Sequence, residues 1–462
     1  MTNPLLAPTF EELLHPNTVD PAIRAKADAA RETRPLDPIN LFNMHWKQPK
    51  TGATNYFVVP KALTGVDAEI VMLVAREFPT GSHKVGPAYS CMIEKYVRGE
   101  LDRDRHTLVF PSTGNYGIGG AWVSGRAGFK GMVILPEGMS RERFEKIESY
   151  GAGIIKTYGS ESNVKEIYDE CNRLSREQPD TVRILNQFAE MGNYRFHYHV
   201  TGNTAVELEA ELSAKLGTHG ISAYCSAMGS AGTIAAGDRL KQVFGDCKVV
   251  GLEPTQCPTL YNNGYGSHEI QGIGDKHVTW IHHVTNMDGL ACIDDMECLR
   301  ILHVFTHEAG AEALVKHYGV SEADAERMTH IFGISGICNL IGAIKTARHY
   351  GLGKKDVVLS IATDGADRYH SVMGWMEEKH GSMDATVART RIGGILRHQK
   401  TDWFRDGTPD ERRRWHNLKY YTWVEQQGKT VKELNDQLDP EWWLGHQAMV
   451  AETDRRIRAL RG

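Results

Sequence analysis

The chain of 462 residues is predicted to be an α/β protein with two domains, in which parallel or mixed sheets are flanked by helices. Short apolar runs alternate with helical segments from about residue 66 onward, and this alternation is typical of parallel sheets covered on both faces. The chain is longer than most proteins that fold around a single hydrophobic core. Hydrophobic residues make up 41% and charged residues 24%, the balance of an ordinary globular protein.

Each element follows from a local pattern. The β-branched or apolar runs predict strands over 68–74, 107–110, 131–135, 153–157, 223–228, 248–252 and 357–361. The segments between them predict helices over 88–98, 116–128, 140–150, 163–176, 201–216, 232–244 and 337–350. No internal repeat and no low-complexity linker interrupts this series.

The two ends differ from the middle. Residues 1–60 are predicted to be an N-terminal extension with a short helix over 21–31, where Pro21 suits the first turn. The apolar stretch 41–46 is expected to pack on the rest of the protein. Residues 381–462 are rich in Arg, Lys, Glu and Trp with helical periodicity, which predicts a helical C-terminal appendix packed on the core or across a subunit interface.

Charge and cysteine usage exclude several classes of function. The formal net charge of -5 argues against general binding of nucleic acid or of an anionic membrane. The eight cysteines form no CxxC pair and no zinc-spaced cluster, so we expect no metal site and a reducing compartment. The first residues lack a basic region before an apolar one, and no apolar run approaches the ~20 residues of a membrane span. We therefore expect a cytoplasmic protein.

A lysine follows the first predicted strand of the middle region. The segment Pro79-Thr80-Gly81-Ser82-His83-Lys84 comes after the run 68–74 and just before Gly86 and Pro87, which places Lys84 at a turn into a new element. Taken alone, a lysine at a turn is usually solvated. Three later stretches change that interpretation.

The first of these stretches lies between a strand and a helix, at Pro111-Ser112-Thr113-Gly114-Asn115-Tyr116-Gly117. Backbone N–H groups at such a junction can bind a carboxylate or a phosphate, and Ser112, Thr113 and Asn115 add side-chain donors. An ordinary helix N-cap explains the same residues equally well.

The other two stretches also end apolar strands. Gly229-Ser230-Ala231-Gly232-Thr233 has small residues that let backbone amides approach an anion, and it lacks the pattern of a mononucleotide loop, so it predicts a phosphate cup. Thr363 and Asp364 follow the strand 357–361, at the strand end where α/β sheets bind ligands.

In order and spacing these stretches resemble the fold-type II pyridoxal-phosphate enzymes, which share the tryptophan synthase β-like fold. The resemblance is greatest to the cysteine synthase/cystathionine β-synthase group and covers about residues 60–375. Four further segments are similar to motifs of that group: Gln187-Phe188, the strand 249–254 (VVGLEP), the loop 270–274 (IQGIG) and the helix start 333–336 (GISG).

The resemblance implies a role for each motif. Lys84 would be the catalytic residue and join the aldehyde of pyridoxal 5'-phosphate as an imine, with Asn115 beside the ring. The phosphate would lie in the cup formed by Gly229, Ser230, Ala231, Gly232 and Thr233. Either Thr363 or Asp364 would meet the pyridine nitrogen, since the alignment is ambiguous by one residue. The substrate would be bound by Ser112, Thr113, Gly114, Asn115, Tyr116 and Gln187.

Two departures from the family pattern concern the site. Tyr116 stands where the group has a small threonine, so its phenol would either enter the substrate site or turn away from it. Ala231 replaces a glycine of the cup, although its backbone amide is unchanged.

The implied function is β-elimination or β-replacement on an L-amino acid with a β-leaving group of the Ser, O-acetylserine or Cys type, through an aminoacrylate. A threonine or serine dehydratase or a diamino acid ammonia-lyase is the alternative enzyme, and a scaffolding relative without cofactor is the non-enzymatic one. The expected organisation is a large cofactor-binding domain (61–87 and 191–380), a smaller mobile domain (88–190) and a homodimer.

Overall fold

The computed structural model describes residues 5–112, 114–159 and 163–461, and eleven strands lie within these ranges. They are β1 (Tyr56–Val58), β2 (Glu69–Val74), β3 (Thr107–Pro111), β4 (Lys130–Pro136), β5 (Gly153–Thr157), β6 (Val182–Ile184), β7 (Ala223–Ala227), β8 (Lys248–Pro254), β9 (Gly289–Ile293), β10 (Val357–Ala362) and β11 (Phe404–Asp406). All seven predicted strands are present. The sequence pattern did not predict β1, β6, β9 and β11; β1, β6 and β11 have only three residues each, and so short a strand carries little periodic signal.

The strands form two sheets. The larger has seven strands in the order β1-β2-β10-β7-β8-β9-β11, with antiparallel pairing only at its two edges. The smaller has four parallel strands in the order β5-β4-β3-β6. Central strands such as β2 and β10 are buried along their whole length, as expected for parallel strands covered on both faces. The domain boundaries given above stay a prediction.

Twenty α-helices surround the two sheets in the described part of the chain. They are α1 (Phe10–Leu14), α2 (Pro21–Thr33), α3 (Lys61–Thr64), α4 (Val85–Val97), α5 (Asn115–Ala127), α6 (Arg141–Ser149), α7 (Val164–Glu177), α8 (Met191–Phe196), α9 (Gly202–Leu216), α10 (Ala235–Val243), α11 (Thr259–Asn262), α12 (Asp295–Thr306), α13 (Glu308–Tyr318), α14 (Glu322–Ile331), α15 (Ile334–His349), α16 (His370–His380), α17 (Ala385–Arg391), α18 (Pro409–Asn417), α19 (Val431–Asp436) and α20 (Pro440–Arg461).

Shorter helical turns fill the gaps. The 3₁₀ turns are Pro16–Thr18, Pro38–Asn43, Gly232–Ile234, Val284–Asn286 and Ala366–Arg368, and the π-helical segments are His197–Thr201, Ile392–Arg397 and Tyr420–Val424.

The two extensions pack on the core and on each other. Leu41, Phe42 and Trp46 of the predicted apolar stretch are almost fully buried. At the start of α1 the backbone N–H of Phe10 donates to Asp454 Oδ1 of α20 over 2.7 Å. The C-terminal segment is mainly helical, and it also supplies β11, the last strand of the large sheet. The extensions therefore form part of the same folded body as the core.

No single helix in the described ranges has both the length and the apolar composition needed to cross a bilayer. Among the described helices, α14 and α15 taken together meet both conditions, and they are bent by 118° relative to each other.

Candidate active site

A cavity lies where the carboxyl ends of strands from both sheets meet. Its walls come from the loops that follow β2, β3, β6, β7 and β10, from the loop 272–275 and from the start of α15. The carboxyl ends of parallel strands are the usual place for ligand sites in α/β proteins. Of the residues predicted for the site, those lining the cavity are Lys84, Ser112, Gly114, Asn115, Tyr116, Gln187, Gly229, Ser230, Ala231, Thr233 and Thr363.

Lys84 stands at the start of α4 and reaches the predicted phosphate cup. Its Nζ lies 3.0 Å from Ser230 Oγ, a residue 146 positions further along the chain. Gly119 of α5 packs directly against the lysine segment. A larger residue does not fit there, because a Cβ on Gly119 would lie 3.0 Å from the backbone oxygen of Lys84. The close approach of α5 to the lysine segment joins the two sheets at the cavity.

The cup, residues 229–233, is held in shape by side chains around it. Ser230 Oγ also accepts a hydrogen bond of 2.9 Å from Asn193 Nδ2, and Thr233 Oγ1 pairs with Ser226 Oγ over 2.6 Å. Ala231 has a φ of 61°, a left-handed conformation that favours glycine, so the non-glycine residue there is strained. Gly232 is buried behind the wall rather than in it.

The backbone N–H groups of the cup are available to a ligand. Within the described chain, the N–H groups of residues 229–233 donate to no protein acceptor. Successive N–H groups in a turn of this kind form a concave site for an anion. The cup therefore suits a phosphate group without any charged side chain of its own.

The loop after β3 is stabilised partly by itself and partly by charged groups from the other sheet. Ser112 Oγ accepts hydrogen bonds of 2.9 Å from the N–H groups of Gly114 and Gly117. The Asn115 amide donates to Asp364 Oδ2 over 2.8 Å and accepts from the buried Arg368 guanidinium. Thr113, a predicted substrate-binding residue, lies outside the described residues.

Tyr116 turns its phenol away from the cavity. The hydroxyl donates to the backbone oxygen of Leu185 over 2.9 Å, and the ring packs edge-on against Phe110. Burial raises the pKa of this phenol well above its usual value, so it stays neutral. The large residue in this position thus closes the wall without bringing a hydroxyl into the site.

Thr363 and Asp364 differ in where the structure places their side chains. Thr363 lines the cavity, and its Oγ1 lies 2.6 Å from Ser335 Oγ at the start of α15. Asp364 is fully buried outside the wall, where its Oδ2 accepts from Asn115 and, over 2.7 Å, from the hydroxyl of Tyr369. A neutral pair of hydroxyls, and not a carboxylate, therefore faces the cavity at this strand end.

Several wall residues were not among the predicted site residues. They are His83, Phe188, Ser226, Ala227, Gly272, Ile273, Asp275 and Ser335. Burial and the neighbouring Lys84 lower the pKa of His83 well below its usual value, so its imidazole is neutral. Ser335 and Asp275 could have been found, since one lies inside the segment GISG and the other directly follows IQGIG.

Comparison with known proteins agrees with this geometry. The family model described as "Pyridoxal-phosphate dependent enzyme" matches residues 63–364. A cysteine synthase from Flavobacterium sp. is 29% identical over 228 residues, which is 49% of this chain and 71% of the relative. One from Staphylococcus aureus is 27% identical over 309 residues, 66% of this chain and 88% of the relative.

A solved structure shows the same fold. The O-acetylserine dependent cystathionine β-synthase from Helicobacter pylori is 25% identical, with a TM-score of 0.57. The match covers 69% of this chain and 95% of that protein. Both extensions lie outside the residues matched by the family model.

Proposed function

The chain belongs to the family of pyridoxal-phosphate dependent enzymes, and on that basis we propose that it carries out β-elimination or β-replacement on an L-amino acid. The donor would bear a β-leaving group of the Ser, O-acetylserine or Cys type. Relatives named cysteine synthase and a structural neighbour named O-acetylserine dependent cystathionine β-synthase support this choice of reaction.

The residues of the cavity fit the cofactor. The free N–H groups of the cup would hold its phosphate, Lys84 would hold its aldehyde carbon, and the hydroxyls of Thr363 and Ser335 would meet the ring nitrogen. When bound, pyridoxal phosphate supplies a sink for the electron pair that is left when the Cα proton of an amino acid is removed.

Substrate binding and proton transfer would be carried out by groups of the protein itself. The hydroxyl of Ser112, the backbone at Gly114 and the Gln187 amide would bind the substrate carboxylate. Lys84 Nζ would take the Cα proton and later return it. Asp364 would act indirectly, by holding the amide of Asn115 in one orientation.

The observation that carries the proposal is the neutral pair Thr363–Ser335 at the strand end. A carboxylate there would keep the ring nitrogen protonated and strengthen electron withdrawal, whereas a hydroxyl leaves the ring neutral. The weaker electron sink favours expulsion of a β-leaving group over reactions that need a long-lived carbanion.

Two measurements test the proposal. Borohydride reduction followed by peptide mass spectrometry is expected to place the cofactor on Lys84. O-acetyl-L-serine, L-serine and L-cysteine are then offered separately, and at least one is expected to change the cofactor absorbance and release its leaving group. If none does so, while threonine yields 2-oxobutyrate, the proposal is wrong and the enzyme is a dehydratase.

The assembly and the cellular location also remain proposals. A homodimer in the cytoplasm is the arrangement that the resemblance and the sequence composition favour. Sedimentation equilibrium of the cofactor-bound protein tests the first point, and a monomer at all concentrations would contradict it.

A further inference from the structure

A buried lysine of the C-terminal appendix binds a loop that reaches the active site. Lys419 directly precedes the π-helical segment Tyr420–Val424, and its side chain is fully buried. Its Nζ donates to the backbone oxygens of Trp280 over 3.1 Å and of His282 over 2.6 Å, and to Gln437 Oε1 over 2.6 Å. Each of the three protons of the ammonium group therefore has an acceptor.

Other residues of the appendix bind the same loop, residues 278–282. Trp423 Nε1 donates to the backbone oxygen of Val278 over 2.8 Å, and Gln437 Nε2 donates to that of Trp280 over 3.1 Å. The backbone oxygens of three alternate residues of the loop thus accept hydrogen bonds from the appendix. Because bonds from a charged donor are stronger than neutral ones, we assign the largest share of this attachment to Lys419.

The loop 278–282 is also bonded to two walls of the cavity. Thr279 Oγ1 donates to the backbone oxygen of Ser230, in the cup, over 2.8 Å. The N–H of Trp280 donates to the backbone oxygen of Phe188 over 2.9 Å, and Phe188 lines the cavity next to Gln187. The loop therefore joins the side of the cavity proposed for the cofactor phosphate to the side that carries Gln187.

The family resemblance does not account for this attachment. Lys419, Trp423 and Gln437 lie outside the residues 63–364 that the family model matches, whereas the loop and both walls lie inside them. A lysine that only fastened the appendix to the core would affect the stability of the fold and leave the affinities of the folded site unchanged. A lysine that holds the loop between two walls of the site should change those affinities as well.

We propose that Lys419 is a positioning residue of the active site, which acts through the loop 278–282 to set the position of the cup relative to Gln187. For the donor side, this inference rests on the proposed function. Without the ammonium group, the backbone oxygens of Trp280 and His282 lose their charged donor and the loop is free to shift. The cup and Gln187 then no longer have one fixed spacing, and part of the binding free energy of cofactor and donor is spent on restoring it.

The variant Lys419→Met tests the inference, since methionine fills most of the space and removes the donors. We expect the Kd for pyridoxal 5'-phosphate, measured by equilibrium dialysis of the full chain, to rise by about tenfold. At saturating cofactor, the KM for the donor that the wild type turns over should also rise by about tenfold, whereas kcat should fall much less because Lys84 is untouched. The visible circular dichroism of the bound cofactor, which reports its orientation in the site, should change.

Two further variants and a control sharpen the test. Thr279→Val cuts the bond to the cup alone, so it should raise the cofactor Kd more than the donor KM. Gln437→Met removes one partner of Lys419 and one donor to Trp280, and it should raise both constants by about threefold even if Lys419→Met fails to fold. Lys432→Met, at an exposed lysine of α19, is the matched control and should behave like wild type.

Several outcomes would overturn the inference. A lower unfolding free energy of Lys419→Met or Gln437→Met with wild-type Kd, KM and circular dichroism would show that the lysine only fastens the appendix. The same rise in Kd and KM for Lys432→Met would assign the effect to the charge of the appendix. If the wild type turns over no donor, the proposed function is wrong, whereas the cofactor Kd and the circular dichroism of Lys419→Met still decide the positioning role.

Discussion

The cavity has two loops that we propose as anion-binding sites, and they are built on different physical principles. The cup after β7 presents free backbone N–H groups and is held by uncharged neighbours such as Asn193 and Ser226. The loop after β3 is oriented by buried charges that belong to the other sheet, since Asn115 lies between Asp364 and Arg368. The first loop is complete within the large sheet, whereas the second takes its position only when the two sheets meet.

This difference suggests that the two loops have different roles. A cup made of backbone amides can keep a resident phosphate whatever the position of the small sheet. A loop that depends on contacts across the cavity can change its affinity for substrate when those contacts change.

Replacing Lys84 should abolish turnover and leave the cup intact. In Lys84→Ala we expect donor turnover to fall by about 10³-fold or more, because the group that moves the Cα proton is lost. Binding of the cofactor, measured by equilibrium dialysis, should persist through the phosphate. Lys379→Ala, an exposed lysine of α16, serves as the control. Full activity in Lys84→Ala would contradict the assignment of this lysine.

Replacing Arg368 should lower the affinity for the donor, which depends on the loop after β3, and leave the affinity of the cup for the cofactor unchanged. Arg368→Met leaves the Asn115 and Thr80 oxygens without their donor, at about 1–3 kcal/mol of unfolding free energy each. We expect the donor KM to rise by about tenfold while cofactor affinity stays within about twofold. Arg76→Met removes a more exposed arginine paired with Asp367 and is the matched control. An equal loss of cofactor and donor affinity would show that the two loops are not independent.

Glu253 should make the region behind the cup sensitive to pH. It lies in a small chamber that includes Gly229, accepts from the N–H groups of Leu260 and Tyr261, and has its pKa raised by burial from 4.5 to about 7. Between these values the folded state keeps a proton that the unfolded state has lost. Stability should therefore fall as pH rises through this window, by about 3 kcal/mol in total.

The variant Glu253→Gln should remove that dependence. Urea unfolding at about pH 5 and about pH 8 is expected to show a smaller difference in unfolding free energy for Glu253→Gln than for wild type. Glu326→Gln, an exposed residue of α14, should keep the wild-type difference. An unchanged slope in Glu253→Gln would assign the pH dependence to other groups.

Removing the Tyr116 hydroxyl should lower the stability of the fold and hardly change the rate of the reaction. Tyr116→Phe leaves the Leu185 oxygen without its donor, which should cost about 1–2 kcal/mol of unfolding free energy. Because the hydroxyl points out of the cavity, kcat/KM for the donor should stay within about twofold. A larger loss of kcat/KM would mean that the hydroxyl reaches the substrate.

Much of the fold was predictable because long strands and helices carry strong periodic patterns. All seven predicted strands exist, and the apolar stretch containing Trp46 is buried as expected. The edge strand β11 was not predictable, since three residues of mixed polarity in a helical segment acquire strand geometry only by pairing with β9. The strands β1 and β6 also have only three residues each, too few for a periodic pattern.

The sequence by itself determined the family and predicted the lysine and the cup, because these depend on contiguous motifs whose local geometry is set by glycine and small residues. The tertiary structure decided which of Thr363 and Asp364 faces the cavity, where the phenol of Tyr116 points, and that Asp275 shares the wall with Lys84. Each of these depends on the direction of a side chain relative to segments that are far away in the chain. Such directions depend on packing against distant partners, and no local pattern encodes them.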